Sequence, residues 1–399
     1  MTSTKHLAPP EKQRLRLGFM RLTDSAPLIY AKEKGLFAAY ELEVDLVREV
    51  SWANLRDRLV VGDLDAAHLL APLPLMTTYG VGGLRVPLLT GLVLNLNGNA
   101  LTLASHLASA LTSEPSNGAG LPDALATSRT LAARIKGSAQ RFTFATVHLF
   151  SMHTLQLRMW LRAGGIDPDR DVKIIVLPPE QMCDSLARGL IDGFCVGEPW
   201  NSLAVQHGIG TIVATGHQTW NNAPEKVLAV NGIWHRRYAQ THLRLRLALM
   251  EACLRLGEPA ERRAMAPILA QPRYLNLPET VLLPALTGRP RFNKASEATT
   301  MEEFLVFGAY HAGFPWRSTA DAIVRQCGFA LGNPIPEDQV ASLSQQCFRP
   351  DLYREAARHL DLPAPSHERR RGEGTHAEPW ESEPGILLGP DRSLVPLDS

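Results

Sequence analysis

An excess of charge of either sign is missing from this sequence. Over 399 residues, 41 Lys and Arg stand against 40 Asp and Glu, a formal net charge of +1. Proteins that coat DNA or anionic membrane rely on a basic excess, so the balance argues against direct nucleic-acid or membrane binding as the main activity. Cysteine is scarce as well. Cys183, Cys195, Cys253, Cys327 and Cys347 are odd in number and show no CxxC spacing, which indicates neither a disulfide framework nor a zinc site. Long hydrophobic runs are absent: every apolar stretch breaks well before the ~20 residues that a membrane helix needs. At the amino terminus, Pro9, Pro10, Glu11, Lys12 and Gln13 stand where an export signal requires an unbroken apolar run. These absences together predict a reduced, cytoplasmic setting. Catalytic signatures are lacking too, with no GxSxG elbow, HExxH, P-loop or dinucleotide GxGxxG. No enzyme, no cofactor and no metal is expected.

What is present is an ordinary globular composition, 45% hydrophobic and 20% charged, long enough for two lobes of typical size. A strand over 15–20 ends in the turn Thr23-Asp24-Ser25. Helical spacing over 26–40 follows, then a strand over 42–50, a helix over 52–61 and a short apolar piece at 66–70. After an apolar run at 87–96, a Ser/Gly/Pro-rich stretch over 112–122 predicts an exposed loop. A second series comes next: strand 141–147, helix 151–163, strand 172–177, helix 179–188, strand 193–196 and strand 211–214. A strand at 227–230 leads into a helix over 240–256, with Leu243, Leu247, Met250 and Leu254 on one face and Arg244, Arg246 and Arg255 among the rest. Alternation of this kind predicts α/β architecture. The charged, Gly- and Pro-rich stretch from about 364 to 399 predicts a disordered tail. Ligands of open α/β sheets lie beyond the carboxyl ends of strands, so the turns after strands are the places to look.

Several segments are familiar: GFMRLTDSAPLIYAKEKGLF, VSWANLRDRLVVGDLDAAHLLAPLPL, LRAGGIDPDRDVKIIVLPPEQM, DGFCVGEPWN and PEKVLAV. They resemble the nitrate and bicarbonate binding proteins of bacterial ABC transporters, over about residues 14–363. The resemblance implies the type II periplasmic-binding-protein fold, two α/β lobes with a ligand cleft between them. Lobe 1 would comprise 14–98 plus 227–363 and lobe 2 would be 99–226, with 1–13 disordered. Lacking a recognisable export signal, the chain is most similar to the cytoplasmic NasS-type nitrate/nitrite sensors. That likeness implies a NasT-like ANTAR-domain antiterminator as partner, released when nitrate or nitrite binds. The alternative is the solute-binding subunit of a nitrate ABC transporter. The thiamine-pyrimidine synthases share this fold, but they carry a Cys-rich segment that the dispersed cysteines here do not match.

The resemblance implies four anion contacts: Trp52, Asn99, His153 and Lys226. Each also has a plainer reading. Trp52 opens a helix after a strand and its indole N–H can only donate; alone, it reads equally as a packed aromatic. Asn99 sits in a Gly-containing turn where transport relatives carry Gln, and an Asn beside Gly often serves its own backbone. His153 lies in the first turn of a helix capped by Ser151, where helix N–H groups favour an anion. Lys226, in Pro224-Glu225-Lys226, would supply the compensating cation; a solvated Lys is the usual case. Bicarbonate-binding relatives have an acid there that works with a metal, so Lys226 points to nitrate or nitrite. Thr23, Asp24 and Glu198 are placed behind these contacts, Thr23 as a donor, Asp24 capping the next helix and Glu198 capping a helix or orienting donors.

Overall fold

The structure is a computed structural model, and it describes residues 7–83, 85–111, 121–138 and 140–398. The chain enters through β1 (Arg14–Phe19), β2 (Glu43–Arg48), β3 (Ala66–Leu70) and β4 (Leu88–Asn97). It then builds β5 (Asn99–Ala104), β6 (Thr143–Thr146), β7 (Lys173–Val176), β8 (Gly193–Gly197) and β9 (Gly210–Thr215), and returns through β10 (Pro224–Asn231) to β11 (Leu305–Val306). Two mixed sheets result, ordered β11-β4-β10-β3-β1-β2 and β7-β6-β8-β5-β9. The chain therefore changes sheet twice. The first change, at Gly98, needs glycine: its φ is +93°, and an added β-carbon would sit 2.8 Å from Leu305 Cδ1. The second lies between β9 and β10, so β10 starts at Pro224, three residues earlier than the expected 227.

Both faces of the first sheet are covered, which is why its strands read as nearly continuous apolar runs. Along β10, Val227 and Ala229 join one hydrophobic core and Leu228 and Val230 the other, the two-residue period of a pleated strand. The first of these cores runs on under the second sheet through Phe144, Leu157 and Trp160. The expected helix over 26–40 is two helices, Ala26–Glu33 and Leu36–Ala39, because Gly35 adopts a left-handed φ of +73°.

In the helix Ala239–Arg255, Leu243, Leu247 and Met250 are buried as the periodicity predicts, while Leu254 is exposed. Arg244 and Arg246 are buried as well. Arg244 donates to the carbonyls of Tyr40 and Ala8, and Arg246 pairs with Glu355 at 2.8 Å. The amino-terminal segment, expected to be disordered through residue 13, docks on this helix from residue 7. Glu11 accepts from the N–H groups of Gln240 and Thr241 (3.0 and 2.8 Å), and Lys12 pairs with Asp65 at 2.6 Å.

The tail also departs from expectation. It carries a hairpin of β12 (Trp380–Glu383) and β13 (Ile386–Leu388), with Ile386, Leu388 and Leu397 buried. Several of its charges are matched within the fold: Asp391 is fully buried, 2.9 Å from His376 Nδ1, and Arg370 pairs with Glu373. Composition suggested solvation; pairing and three apolar anchors decide otherwise. Of the predicted loop at 112–122, residues 112–120 lie outside the described residues.

Among the described residues no helix is long and apolar enough to cross a membrane. No group of His, Cys, Asp or Glu there is arranged to hold a metal. All five cysteines are buried free thiols.

Candidate ligand-binding site

Two serines set the site's geometry. Ser51 caps the helix Trp52–Val60, accepting from Asn54 N at 3.2 Å, and Ser151 caps the helix Met152–Ala163, accepting from Thr154 N at 3.1 Å. Each arrives in extended backbone and satisfies one of the amides a helix start leaves free. Trp52 and His153 therefore stand in the first turns of two helices, one from each lobe. Thr23 and Asp24 form a tight turn after β1, Asn99 opens β5, Lys226 lies on β10, and Glu198 follows β8 at a cis bond to Pro199. All seven predicted residues are buried, none more than 3% exposed. The lobes are closed over them. Thr23 N donates to the Glu198 carbonyl at 2.8 Å, Trp200 Nε1 donates to the Arg21 carbonyl at 3.2 Å, and Arg21 pairs with Glu180.

Lys226 is not the free cation that the sequence suggested. Its Nζ donates to Asp24 Oδ2 at 2.8 Å and to Glu225 Oε1 at 2.7 Å, and it lies 5.3 Å from the centre of the Trp52 ring. Asp24 accordingly does not cap a helix. Burial opposes its ionisation, but Lys226 and His68 outweigh burial and hold its carboxyl well below the usual range. His68 Nε2 is aligned on the Asp24 carbonyl at 3.1 Å and lies 3.3 Å from Oδ1. Lys226 is itself pulled down by burial and raised on balance by its two carboxylates. Burial raises Glu225, with Lys226 opposing. His153, desolvated and near Lys226, falls well below its ordinary value and is neutral.

Asn99 is also placed differently from expectation. Its Nδ2 donates to Gln156 Oε1 at 3.0 Å and to Glu225 Oε2 at 2.6 Å, so both amide hydrogens are committed within the protein. Glu198, expected to cap a helix or orient donors, accepts from Ser202 N at 3.1 Å in the first turn of the helix Trp200–His207. Burial pushes its carboxyl up to about 7.

The sequence reading missed Glu225, His68 and Gln156. Glu225 adjoins Lys226, and strand alternation would put the two on opposite faces. Shifts in the β10–β4 register on either side of Lys226 break that alternation, so both reach one cluster. The acid in PEKVLAV was visible, but its direction was not.

Beside Gly197 the packing leaves a small polar space. A β-carbon placed there would have Asn99 Oδ1 at 3.5 Å, Asp24 Oδ2 at 3.6 Å and His153 Nε2 at 3.6 Å as its nearest neighbours. Buried polar atoms without hydrogen-bond partners include Thr23 Oγ1, Asp24 Oδ1, Trp52 Nε1, His68 Nδ1, Asn99 Oδ1, both ring nitrogens of His153, and Glu198 Oε1, and Asn99, Asp24 and His153 line the space itself. Native proteins leave few such atoms, and a cluster of them marks a place for a polar guest. Six of the seven predicted residues contribute such an atom. Donors and acceptors are mixed, so the arrangement suits a compact polar solute held by both lobes.

A family model for the NMT1-like family matches residues 8–270. The chain belongs to that family. Within it, the kinship is with nitrate and bicarbonate solute-binding proteins rather than enzymes. The nitrate/nitrite binding protein NrtA of Synechococcus elongatus is 31% identical over 367 residues, covering 89% of this chain and 81% of NrtA. The nitrate import ATP-binding protein NrtC of Synechocystis is 38% identical over 356 residues, covering 88% of this chain and 51% of NrtC. The chain thus spans about half the length of that relative. The crystal structure of the periplasmic nitrate-binding protein NrtA from Synechocystis PCC 6803 superposes with a TM-score of 0.84 at 27% identity, covering 96% of this chain and 97% of that one. The two-lobed periplasmic-binding-protein fold expected from the resemblance is the fold of this NMT1-like chain.

Proposed function

We propose that this protein binds nitrate or nitrite between its lobes and acts as a cytoplasmic sensor. In this reading it holds a NasT-like ANTAR-domain antiterminator and releases it when the anion arrives. The observation that carries the binding reading is the set of unpartnered buried polar atoms on the linked residues around Lys226 and Gly197. Trp52 Nε1 and Thr23 Oγ1 come from lobe 1 and His153 from lobe 2, so one compact solute satisfies both sides only when the lobes are closed. Such differential binding is what shifts an open–closed equilibrium. A partner that prefers the open form is then displaced by the anion, and it weakens the anion by the same factor.

A second reading, the solute-binding subunit of a nitrate transporter, is favoured by the names of the relatives, which are import and binding components. Calorimetry with nitrate, nitrite and bicarbonate tests the binding reading: heat with either nitrogen oxyanion and none with bicarbonate is expected. Gel filtration with an ANTAR-domain antiterminator separates the two roles. A complex that dissociates on adding nitrate or nitrite supports the sensor. A protein that binds the anion but never the antiterminator belongs to transport.

A further inference from the structure

The site as it stands presents the wrong polarity to an anion. Asn99 turns its carbonyl oxygen, and Asp24 a carboxylate oxygen, toward the space at Gly197. Charge points the same way. Lys226 is shared by two buried carboxylates, so the cluster is already net negative before any anion enters. Adding another buried negative charge without compensation is strongly unfavourable.

We infer that Glu225 takes up one proton from solvent when the anion binds, and that this proton turns the Asn99 amide over so that its N–H groups face the ligand. The inference rests on the proposed anion-binding reading. Its basis is the hydrogen-bond chain already described. Glu225 Oε1 accepts from Lys226 (2.7 Å) and Oε2 accepts from Asn99 Nδ2 (2.6 Å). A proton on Oε2 makes Glu225 a donor at that position, and its partner must then be an acceptor. Rotating the Asn99 amide by half a turn places Oδ1 against Glu225 and Nδ2 toward Gly197. Gln156, which now accepts from Asn99 at 3.0 Å, turns its own amide in the same way. Anion and proton enter together, and the buried charge is unchanged.

The groups that face Glu225 favour this residue as the proton acceptor. Lys226 on β10 is held charged by Asp24 as well. Asp24, from the turn after β1, keeps two cationic or donor partners, Lys226 and His68 on β3. Neutral His153, from the second lobe, has Nε2 3.3 Å from Glu225 Oε1, close but out of hydrogen-bond alignment. Cys195 on β8 is a thiol raised by burial and by Glu225 itself. Glu198 stands across the cleft, bonded to its own helix. Of the two carboxylates on Lys226, Glu225 is the one bonded to an amide, Asn99, that can turn from donor to acceptor when a proton arrives, and burial already raises it.

The test is titration calorimetry of the full chain with potassium nitrate at about pH 8, in phosphate and in Tris, whose ionisation heats differ. The difference in heat reports proton uptake, expected at about one per anion, with affinity weakening up to about tenfold per pH unit as pH rises. Glu225→Gln, which keeps a donor for Asn99 without a titrating proton, is expected to bind with no buffer-dependent heat and a flat pH profile. If that variant does not fold, the wild-type heats decide alone. Nitrate binding by the wild type without proton uptake overturns this inference and leaves the binding reading standing. No nitrate binding at any pH between about 5 and 9 removes both.

Discussion

Replacing Gly197 with alanine separates folding from binding more cleanly than any charge substitution in this site. Gly197 ends β8 opposite Asn99, and its φ is not in the left-handed region, so the backbone accepts a side chain without strain. The new methyl would sit 3.5–3.6 Å from Asn99 Oδ1, Asp24 Oδ2 and His153 Nε2, ordinary van der Waals distances. Restricting the unfolded chain stabilises by about 0.4–1 kcal/mol. Burying a methyl among polar atoms acts against that, and the net change is expected within about 1 kcal/mol of zero. The anion fares differently. An oxygen bonded to His153 or Asn99 must lie within ~3 Å of its donor, in the volume the methyl would fill. Losing two such bonds at about 1.5 kcal/mol each gives about 3 kcal/mol, or roughly 100-fold in affinity. Urea unfolding without anion and calorimetry with nitrate measure the two quantities. Wild-type nitrate affinity in a normally folded Gly197→Ala variant would show that the ligand sits elsewhere. A loss of more than about 2 kcal/mol in stability would show that the space is not there.

Three further outcomes are expected. Lys226→Met leaves Asp24 and Glu225 buried without their cation and should cost about 3–5 kcal/mol in urea unfolding; a loss under about 1 kcal/mol would mean that the two acids are not ionised together. Trp52→Phe keeps the ring under Lys226 and deletes an unpartnered N–H, so anion affinity should fall about tenfold while stability holds or rises; unchanged affinity removes Trp52 from the site. Glu198→Gln should stabilise the anion-free protein at high pH only. The folded carboxyl keeps its proton up to about 7 and the unfolded one loses it near 4.5, so wild-type stability falls as pH rises between those values and stays reduced above. The variant should be more stable by up to about 3 kcal/mol at pH 8 and no different below pH 4; equal pH profiles in thermal melts would refute the burial argument.

The element pattern was largely legible. The strand at 66–70, the helix begun at Ser151 and the helix over 240–256 lie within a residue of where periodicity placed them, because both faces of the strands and one stripe of each helix must be apolar. The four contacts implied by the resemblance, and Thr23, Asp24 and Glu198 with them, lie together in one buried region. The tail misled for a reason: composition reports average solvation, whereas Asp391, Arg370 and His376 each find a specific partner.

The site's electrostatics were not legible. Residue types and spacing placed a lysine, a histidine, an asparagine and an indole at the ends of strands and the starts of helices, and that much is local. Whether Lys226 is free or doubly paired depends on Asp24, 202 residues away in sequence. Whether Asn99 offers donors or an acceptor depends on Gln156 and Glu225, 57 and 126 residues away. Local residue pattern set the strands and helices and the chemical groups available to the cleft. Their charge and direction were set by long-range contacts, because a buried polar group takes its state from neighbours that distant segments bring within about 3 Å.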